Sequence, residues 1–290
     1  MQDRIVTVDQ TDWTSPADTG ALATALEDGK VLYFPQLPFV MTDAEKSFLS
    51  PTWGDGKAKN IAYDGERDQL KGAQGSAEDL ARLKAMVARF RTSAVGLITS
   101  LFPHYAANLR VAQTSYRTAR VEGRETSWRK DDSRLHVDAF PSRPNHGERI
   151  LRVFSNVNPN GEPRVWRVGE RFHDLADRLA PAISRPIPGS AAVLHALHIT
   201  KSRRSEYDHY MLQMHDRMKA DLAYQRDGVQ TRMPFPPGAT WVCFSDQTPH
   251  AAMSGQYMFE QTMHLPVAGL HQPDSSPLKV LERKLGRNLV

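Results

Sequence analysis

The stretch that most limits how this chain can fold is 135–159, LHVDAFPSRPNHGERILRVFSNVNP. It sets a histidine and a carboxylate one residue apart in His136-Val137-Asp138, then passes through a loop stiffened by Pro141 and Pro144 into a β-branched strand over 149–157. In an extended chain, residues i and i+2 project to the same face. An imidazole and a carboxylate at that spacing can close on one metal ion from a single strand end. A further candidate ligand, His250, follows a distant apolar strand over 241–244, where a barrel would present it at its mouth.

Two histidines and one carboxylate on one face of a metal, with the remaining positions open, form the donor set of non-haem Fe(II) oxygenases. Alone, the H-x-D triplet carries little weight in a chain with 11 histidines. Its placement just before a rigid loop that leads into a strand, with His250 after a second strand, gives it meaning. The single cysteine, Cys243, rules out an internal disulfide framework and a multi-cysteine zinc site. Lying between Val242 and Phe244, it reads as a buried structural thiol.

At 290 residues, with 40% apolar residues and 5 Trp, the chain has the material for one sizeable core. The N-terminus lacks an apolar signal region, and no run approaches the length of a membrane span. A reduced, cytoplasmic protein is expected. The net charge is only +4, but its distribution is uneven. Arg117, Arg120, Arg124, Arg129, Lys130, Arg134, Arg143, Arg149 and Arg152 flank the candidate metal site on both sides. Arginine grips carboxylates and phosphates with paired hydrogen bonds, so the cluster is an anion clamp or a solvated basic surface. No nucleic-acid-binding motif accompanies it, and nucleic acid is not expected as a partner.

Ser15-Pro16-Ala17-Asp18 predicts a helix start, with Gly29 as the stop and a buried strand over 30–34. Turn chemistry predicts loops over 39–75. Ser76 caps the clearest helix, with Leu80, Leu83, Val87, Phe90, Ala94, Leu97, Ile98 and Leu101 on one face. A polar strand is predicted over 109–121, a strand over 163–167 and a helix over 170–179. Helical segments follow over 189–198 and 206–224, and His195, His198, His209 and His215 within them read as surface or core histidines. Strands over 239–245 and 256–265 complete the pattern. Strands divided by a helical insertion, with ligands on two separated strand ends, predict a mainly β fold with flanking helices. Its core is a double-stranded β-helix of jelly-roll or cupin-like type. The expected organisation is one domain over 1–290. Helical and loop support occupies 1–108, the jelly-roll core 109–266 with an insertion over 170–228, and a basic tail 277–290.

The run SYRTARVEGRETSWRKDDSRLHVDAFPSRPNHGERILRVFSNVNP over 115–159 resembles the 3-deoxy-D-manno-oct-2-ulosonic acid (Kdo) hydroxylases, and so do WVCFSDQTPHAAMSGQ and FEQTMHLP downstream. These are Fe(II)/2-oxoglutarate-dependent dioxygenases of Gram-negative bacteria. The resemblance spans 31–266. It implies a jelly-roll core and Fe(II) held by His136, Asp138 and His250. It also implies hydroxylation of the Kdo sugar of lipid A at C3 to give Ko, with O2 and 2-oxoglutarate consumed and succinate and CO2 released. The far carboxylate of 2-oxoglutarate needs a cation. Many relatives place an arginine a short way past the distal histidine, where this chain has Gln261. Arg152, on the strand after H-x-D, is the expected replacement, with Asn156 and Gln261 also assigned to 2-oxoglutarate. Arg149 is the second choice, although it projects to the opposite strand face.

Kdo is a carboxylate sugar on a phosphorylated lipid. Arg117, Arg120, Arg129 and Arg143 are therefore the expected substrate clamp. The tail over 277–290 places Leu278, Leu281, Leu285 and Leu289 near one helical face among Lys279, Arg283, Lys284 and Arg287. It either lies on an anionic inner-membrane surface or packs on its own barrel. Two other readings share the triad: an oxygenase for another anionic small molecule or protein side chain, and a non-catalytic jelly-roll carbohydrate binder.

Overall fold

The computed structural model describes residues 4–14, 19–123 and 126–290; the predicted helix start at Ser15–Asp18 lies outside them. In chain order the elements are β1 (Ile5–Thr7), α1 (Thr19–Glu27), β2 (Val31–Phe34), β3 (Ile61–Asp64), β4 (Gln69–Lys71) and α2 (Ala77–Leu101). Then come β5 (Arg110–Arg117), β6 (Arg149–Asn156), β7 (Arg164–Gly169), α3 (Phe172–Leu179), α4 (Ser190–Ala196), α5 (Glu206–Ala220) and α6 (Leu222–Asp227). The chain closes with β8 (Gln230–Phe235), β9 (Thr240–Phe244), β10 (His250–Ser254), β11 (Met258–Leu265) and α7 (Pro277–Leu285).

Eight strands form one sheet in the order β1-β2-β9-β6-β11-β5-β3-β4, and β10-β7-β8 form a second. The two face each other as a jelly roll, as the separated strand ends predicted. Burial explains the sequence pattern of the large sheet. Its outer face carries Val153, Val242, Phe259 and Met263, which pack with Leu83, Phe90, Leu97 and Leu101 of α2 in the main core. Ser76 caps that helix by accepting the Asp79 N–H at 3.1 Å. The inner face of the large sheet contributes Phe154, Trp241, Cys243 and Met258, which meet Trp166, Val168 and Phe235 of the small sheet. Trp166 stands edge-on to Phe154 and Trp241, with centroids 4.9 and 5.5 Å apart. Cys243 is fully buried here, and burial pushes its thiol pKa up.

Four differences from the sequence reading have physical causes. The β3–β4 hairpin lies within a stretch predicted as loop; its strands are short and gain order by pairing β3 with β5. β8 contains Pro234 yet pairs with β7 from the edge of its sheet, where a missing N–H is tolerated. His250 opens β10 rather than trailing β9. The predicted helix over 206–224 is divided at Asp221, whose side chain accepts the Tyr224 N–H and caps a new helix. The tail forms α7, with Leu278, Leu281 and Leu289 buried against α3 and α5 in a third cluster. Among the described residues, no helix is long and apolar enough to cross a membrane.

Candidate metal centre

The donor set is assembled by main-chain pairing. His136 donates its backbone N–H to His250 O at 3.0 Å, and His250 returns one to His136 O at 2.9 Å. Two residues on, the Asp138 N–H donates to Ser245 O at 2.8 Å, just past β9. The H-x-D segment is thus one extended rung laid between the two sheets. His136 and Asp138 face the interior together, as the i, i+2 spacing requires.

Each imidazole is aimed by its far nitrogen. His136 Nδ1 lies 2.7 Å from Arg134 O, and His250 Nδ1 lies 2.9 Å from Thr248 O. A carbonyl only accepts, so each Nδ1 carries the proton and each Nε2 presents a lone pair. The ligand atoms of His136, Asp138 and His250 all lie within 4.8 Å of one another. Burial lowers both imidazole pKa values, His136 to about 4, and leaves neutral rings at neutral pH. Burial pushes the Asp138 carboxyl up, but Arg152 and the two imidazoles outweigh it and hold it well below the usual range. Two neutral imidazoles and one carboxylate facing a common point fit a divalent metal with positions to spare. A second His/Asp group, His173, Asp174 and Asp177, is exposed on α3, and Asp177 is already paired with Lys284.

Around the triad stands a buried charge network. Arg152 Nη2 lies 2.9 Å from Asp138 Oδ2, and Nη1 donates to Glu260 Oε1 at 2.7 Å. The other Glu260 oxygen accepts from Arg117, whose Nη1 is 3.5 Å from Asp132. Arg164 enters from β7. Its Nη1 donates to Gly255 O at 3.0 Å, while its buried Nε has no partner. Burial lowers the Arg164 pKa and the neighbouring Arg117 adds to the shift, which marks an incompletely compensated cation. Gly255 holds this approach open: its φ is +110°, and a Cβ there would stand 2.9 Å from Pro163 O. Trp166 stacks on the His250 ring with centroids 5.0 Å apart, closing one side to water.

The triad, Arg117, Arg152, Arg164 and Glu260 line a cavity of about 50 Å³. It shares Arg117, Asp132 and Arg164 with a second cavity of about 350 Å³, which Lys59, Thr126 and Lys130 also line. The smaller chamber has room for a few ligand atoms beside a metal. The larger one is of a size that takes a small molecule.

The chain matches the model of the 3-deoxy-D-manno-oct-2-ulosonic acid (Kdo) hydroxylases over residues 9–288. It belongs to that family. It is similar to the solved Kdo hydroxylase KdoO, a non-haem Fe(II) α-ketoglutarate-dependent dioxygenase, in complex with α-ketoglutarate and Fe(III). The TM-score is 0.95 and the identity 46%, over 99% of this chain and 97% of that one. The cobalt(II) complex of KdoO gives 0.96 and 47%, and the complex with succinate and Fe(III) gives 0.95 and 46%, over the same shares of the two chains. No curated protein matches.

Within this family member, the residues singled out from sequence divide into two groups. His136, Asp138, His250, Arg152 and Arg117 meet around one cavity. The others lie elsewhere. Gln261 pairs across β6 with Val153 on the outer face and accepts from Thr114 Oγ1 at 2.6 Å. Asn156 donates to Phe235 O and Glu162 O and accepts the Asn158 N–H, tying loops together at the end of β6. Arg149 is buried against Asp246 at 2.7 Å, on the other face from Arg152. Arg120 pairs with Glu162 at 2.8 Å and Arg129 with Asp216 at 3.1 Å, both exposed, while Arg143 is exposed in the loop after Asp138.

Sequence reasoning passed over Arg164, Trp166, Asp132, Glu260 and His215. The R-V-W of β7 was the available signal for two of them, since alternation puts Arg164 and Trp166 on one face. Glu260, one residue before Gln261, is the β11 side chain that faces the triad. His215 was read as a surface or core histidine; its ring stands edge-on to His136 with centroids 5.4 Å apart.

Proposed function

We propose that His136, Asp138 and His250 hold the iron of this Kdo hydroxylase, and that Arg164, Arg117, Arg152 and Trp166 form the wall receiving 2-oxoglutarate. The enzyme is an Fe(II)/2-oxoglutarate-dependent dioxygenase. Bound iron supplies the activation of O2, coupled to oxidative decarboxylation of 2-oxoglutarate to succinate and CO2. The protein's own residues do the positioning. Thr248 O and Arg134 O fix the two imidazoles, and Arg152 holds Asp138 deprotonated and steers one of its oxygens. Trp166 and Phe154 keep the chamber dry.

The observation that carries this reading is the pair of Nε2 lone pairs and the Asp138 carboxylate facing one point inside a wall of guanidiniums. Charge supports the co-substrate as well. The cavity sets three guanidiniums, Arg117, Arg152 and Arg164, against three carboxylates, Asp132, Asp138 and Glu260. A divalent cation alone would unbalance that set, and a dianion bound with it restores the balance. Arg164, the guanidinium with an unpartnered Nε and no carboxylate in contact, suits the far carboxylate of 2-oxoglutarate.

The substrate is the Kdo sugar of lipid A, hydroxylated at C3 to Ko, and it approaches through the larger cavity. Arg117 stands between the two chambers. Lys130 and Thr126 line the outer one, and the whole chain acts as one oxygenase unit. The test is aerobic incubation with Fe(II), 2-oxoglutarate and Kdo-lipid A. Succinate should form in step with a product heavier by one oxygen. Succinate without the heavier product would remove the sugar from the proposal, and absence of both would remove the reading altogether.

A further inference from the structure

The C-terminal tail, which the sequence offered either to a membrane surface or to its own barrel, has its apolar face covered: Leu278, Leu281 and Leu289 are buried. A different segment is uncovered. Ile187, Val193, Leu197 and Ile199 are 77, 58, 64 and 51% exposed, and they make up four of the eight large apolar side chains exposed among the described residues. Val193 and Leu197 stand one helical turn apart on α4 and its C-cap, with Ile187 just before the helix and Ile199 just after it. A single exposed leucine means nothing, but four within one short projection mark a contact surface.

The charge around them has one sign. Between Asp177 and Glu206 the chain contains no acidic residue, while it carries Arg178, Arg185, Lys201, Arg203 and Arg204. Arg185, Lys201 and Arg203 are exposed, and none of the ion pairs among the described residues involves them; Arg120 and Arg129, by contrast, are each paired with an acid. The projection is fixed to the metal end of the fold. The Lys201 N–H donates to Ser142 O at 2.9 Å, and His146 Nε2 lies 2.7 Å from Arg203 O, both in the loop that follows Asp138.

We infer that this projection docks the enzyme on an anionic bilayer, with Ile187, Val193, Leu197 and Ile199 in the interface and Arg185, Lys201 and Arg203 at the headgroups. An apolar tip ringed by unpaired cations is the arrangement that binds such surfaces. A second copy of the chain is the poorer occupant. A two-fold contact sets a patch against itself, and here that opposes cations to cations with no acid in the segment to relieve them. The inference extends the reading of a lipid-borne sugar as substrate, but the docking itself needs no turnover.

The experiment is co-sedimentation of the full chain with vesicles of phosphatidylcholine alone or mixed with phosphatidylglycerol. Binding to the mixed vesicles, reversed by salt, is expected, with little to phosphatidylcholine alone. V193S/L197S/I199S and, separately, K201E/R203E should each weaken it about tenfold or more, with unchanged melting temperature and circular dichroism. R283E, on the exposed side of α7, should leave it unchanged. Binding that survives both sets, or that R283E reduces equally, overturns the inference. So does a dimer in solution that the triple serine variant converts to monomer. Loss of the hydroxylase reading would show separately, as no succinate from detergent-dispersed Kdo-lipid A with vesicle binding intact.

Discussion

Two buried ion-pair systems lie on opposite faces of β6, and they differ in how far they are closed. On the outer side Arg149 donates to Asp246 at 2.7 Å and also to Gln247, and Asp246 accepts the Ile150 N–H. The Arg149 guanidinium lies over the Phe244 ring at 4.0 Å. That set finds its partners within the fold for all but one of its polar atoms, Arg149 Nη1. On the inner side, Arg117 and Arg152 share Glu260, Asp138 and Asp132 while Arg164 touches no carboxylate, and the Nε atoms of all three arginines lack hydrogen-bond partners. Buried polar groups left unsatisfied are costly, and a fold keeps them where a ligand completes them. The same strand therefore carries two buried arginines, three residues apart, in networks closed to different degrees.

The largest effect should come from breaking the closed pair. R149M leaves Asp246 buried and alone, and should destabilise the protein by about 3–5 kcal/mol, read as a fall in the melting temperature. R164M, in the open set, should leave the melting temperature nearly unchanged. It should raise the KM for 2-oxoglutarate about tenfold to a hundredfold, the worth of a charge-assisted hydrogen bond or two. Should R164M unfold the protein as R149M does, the distinction between closed and open networks fails.

Acid provides a smaller effect. Burial, with Arg110 nearby, lowers the His264 pKa to about 4, and its Nδ1 has no partner. Between about pH 6.5 and 4 the unfolded chain binds a proton here that the fold refuses. Stability is thus fully present above pH 6.5 and falls as the pH drops towards 4, by about 2–3 kcal/mol from this group. H264Q should flatten that part of the melting-temperature profile; an unchanged slope would assign it to other groups. The smallest effect belongs to R120A, which removes an exposed pair with Glu162. The melting temperature should be nearly unchanged, because solvent screens an exposed pair, and the KM for 2-oxoglutarate should hold steady.

Much of this was legible beforehand, for reasons that particular residues make plain. The i, i+2 rule needs only an extended backbone, so His136 and Asp138 could be paired without knowing the fold. Helix α2 announced itself through eight apolar residues on one face and a serine cap. What could not be read was which face of a strand meets which neighbour. Gln261 and Glu260 are adjacent in sequence, and the register Thr262 opposite Arg152 decides which enters the cavity. The tail and α4 show the same limit. Both carry apolar residues at helical spacing with basic neighbours, and only tertiary packing buries one set and exposes the other. Arg120 and Arg129 sit near the triad in sequence, but after Arg117 the chain leaves β5 for a surface loop, and Arg143 is exposed in the loop after Asp138.

The most direct test is anaerobic titration of Fe(II), with 2-oxoglutarate present, into the wild-type protein and into H250A. The wild type should bind one iron per chain, and 2-oxoglutarate should tighten that binding. H250A should remain folded and bind iron far more weakly. Equal iron binding by folded H250A and wild type would show that the metal lies elsewhere and would contradict the account.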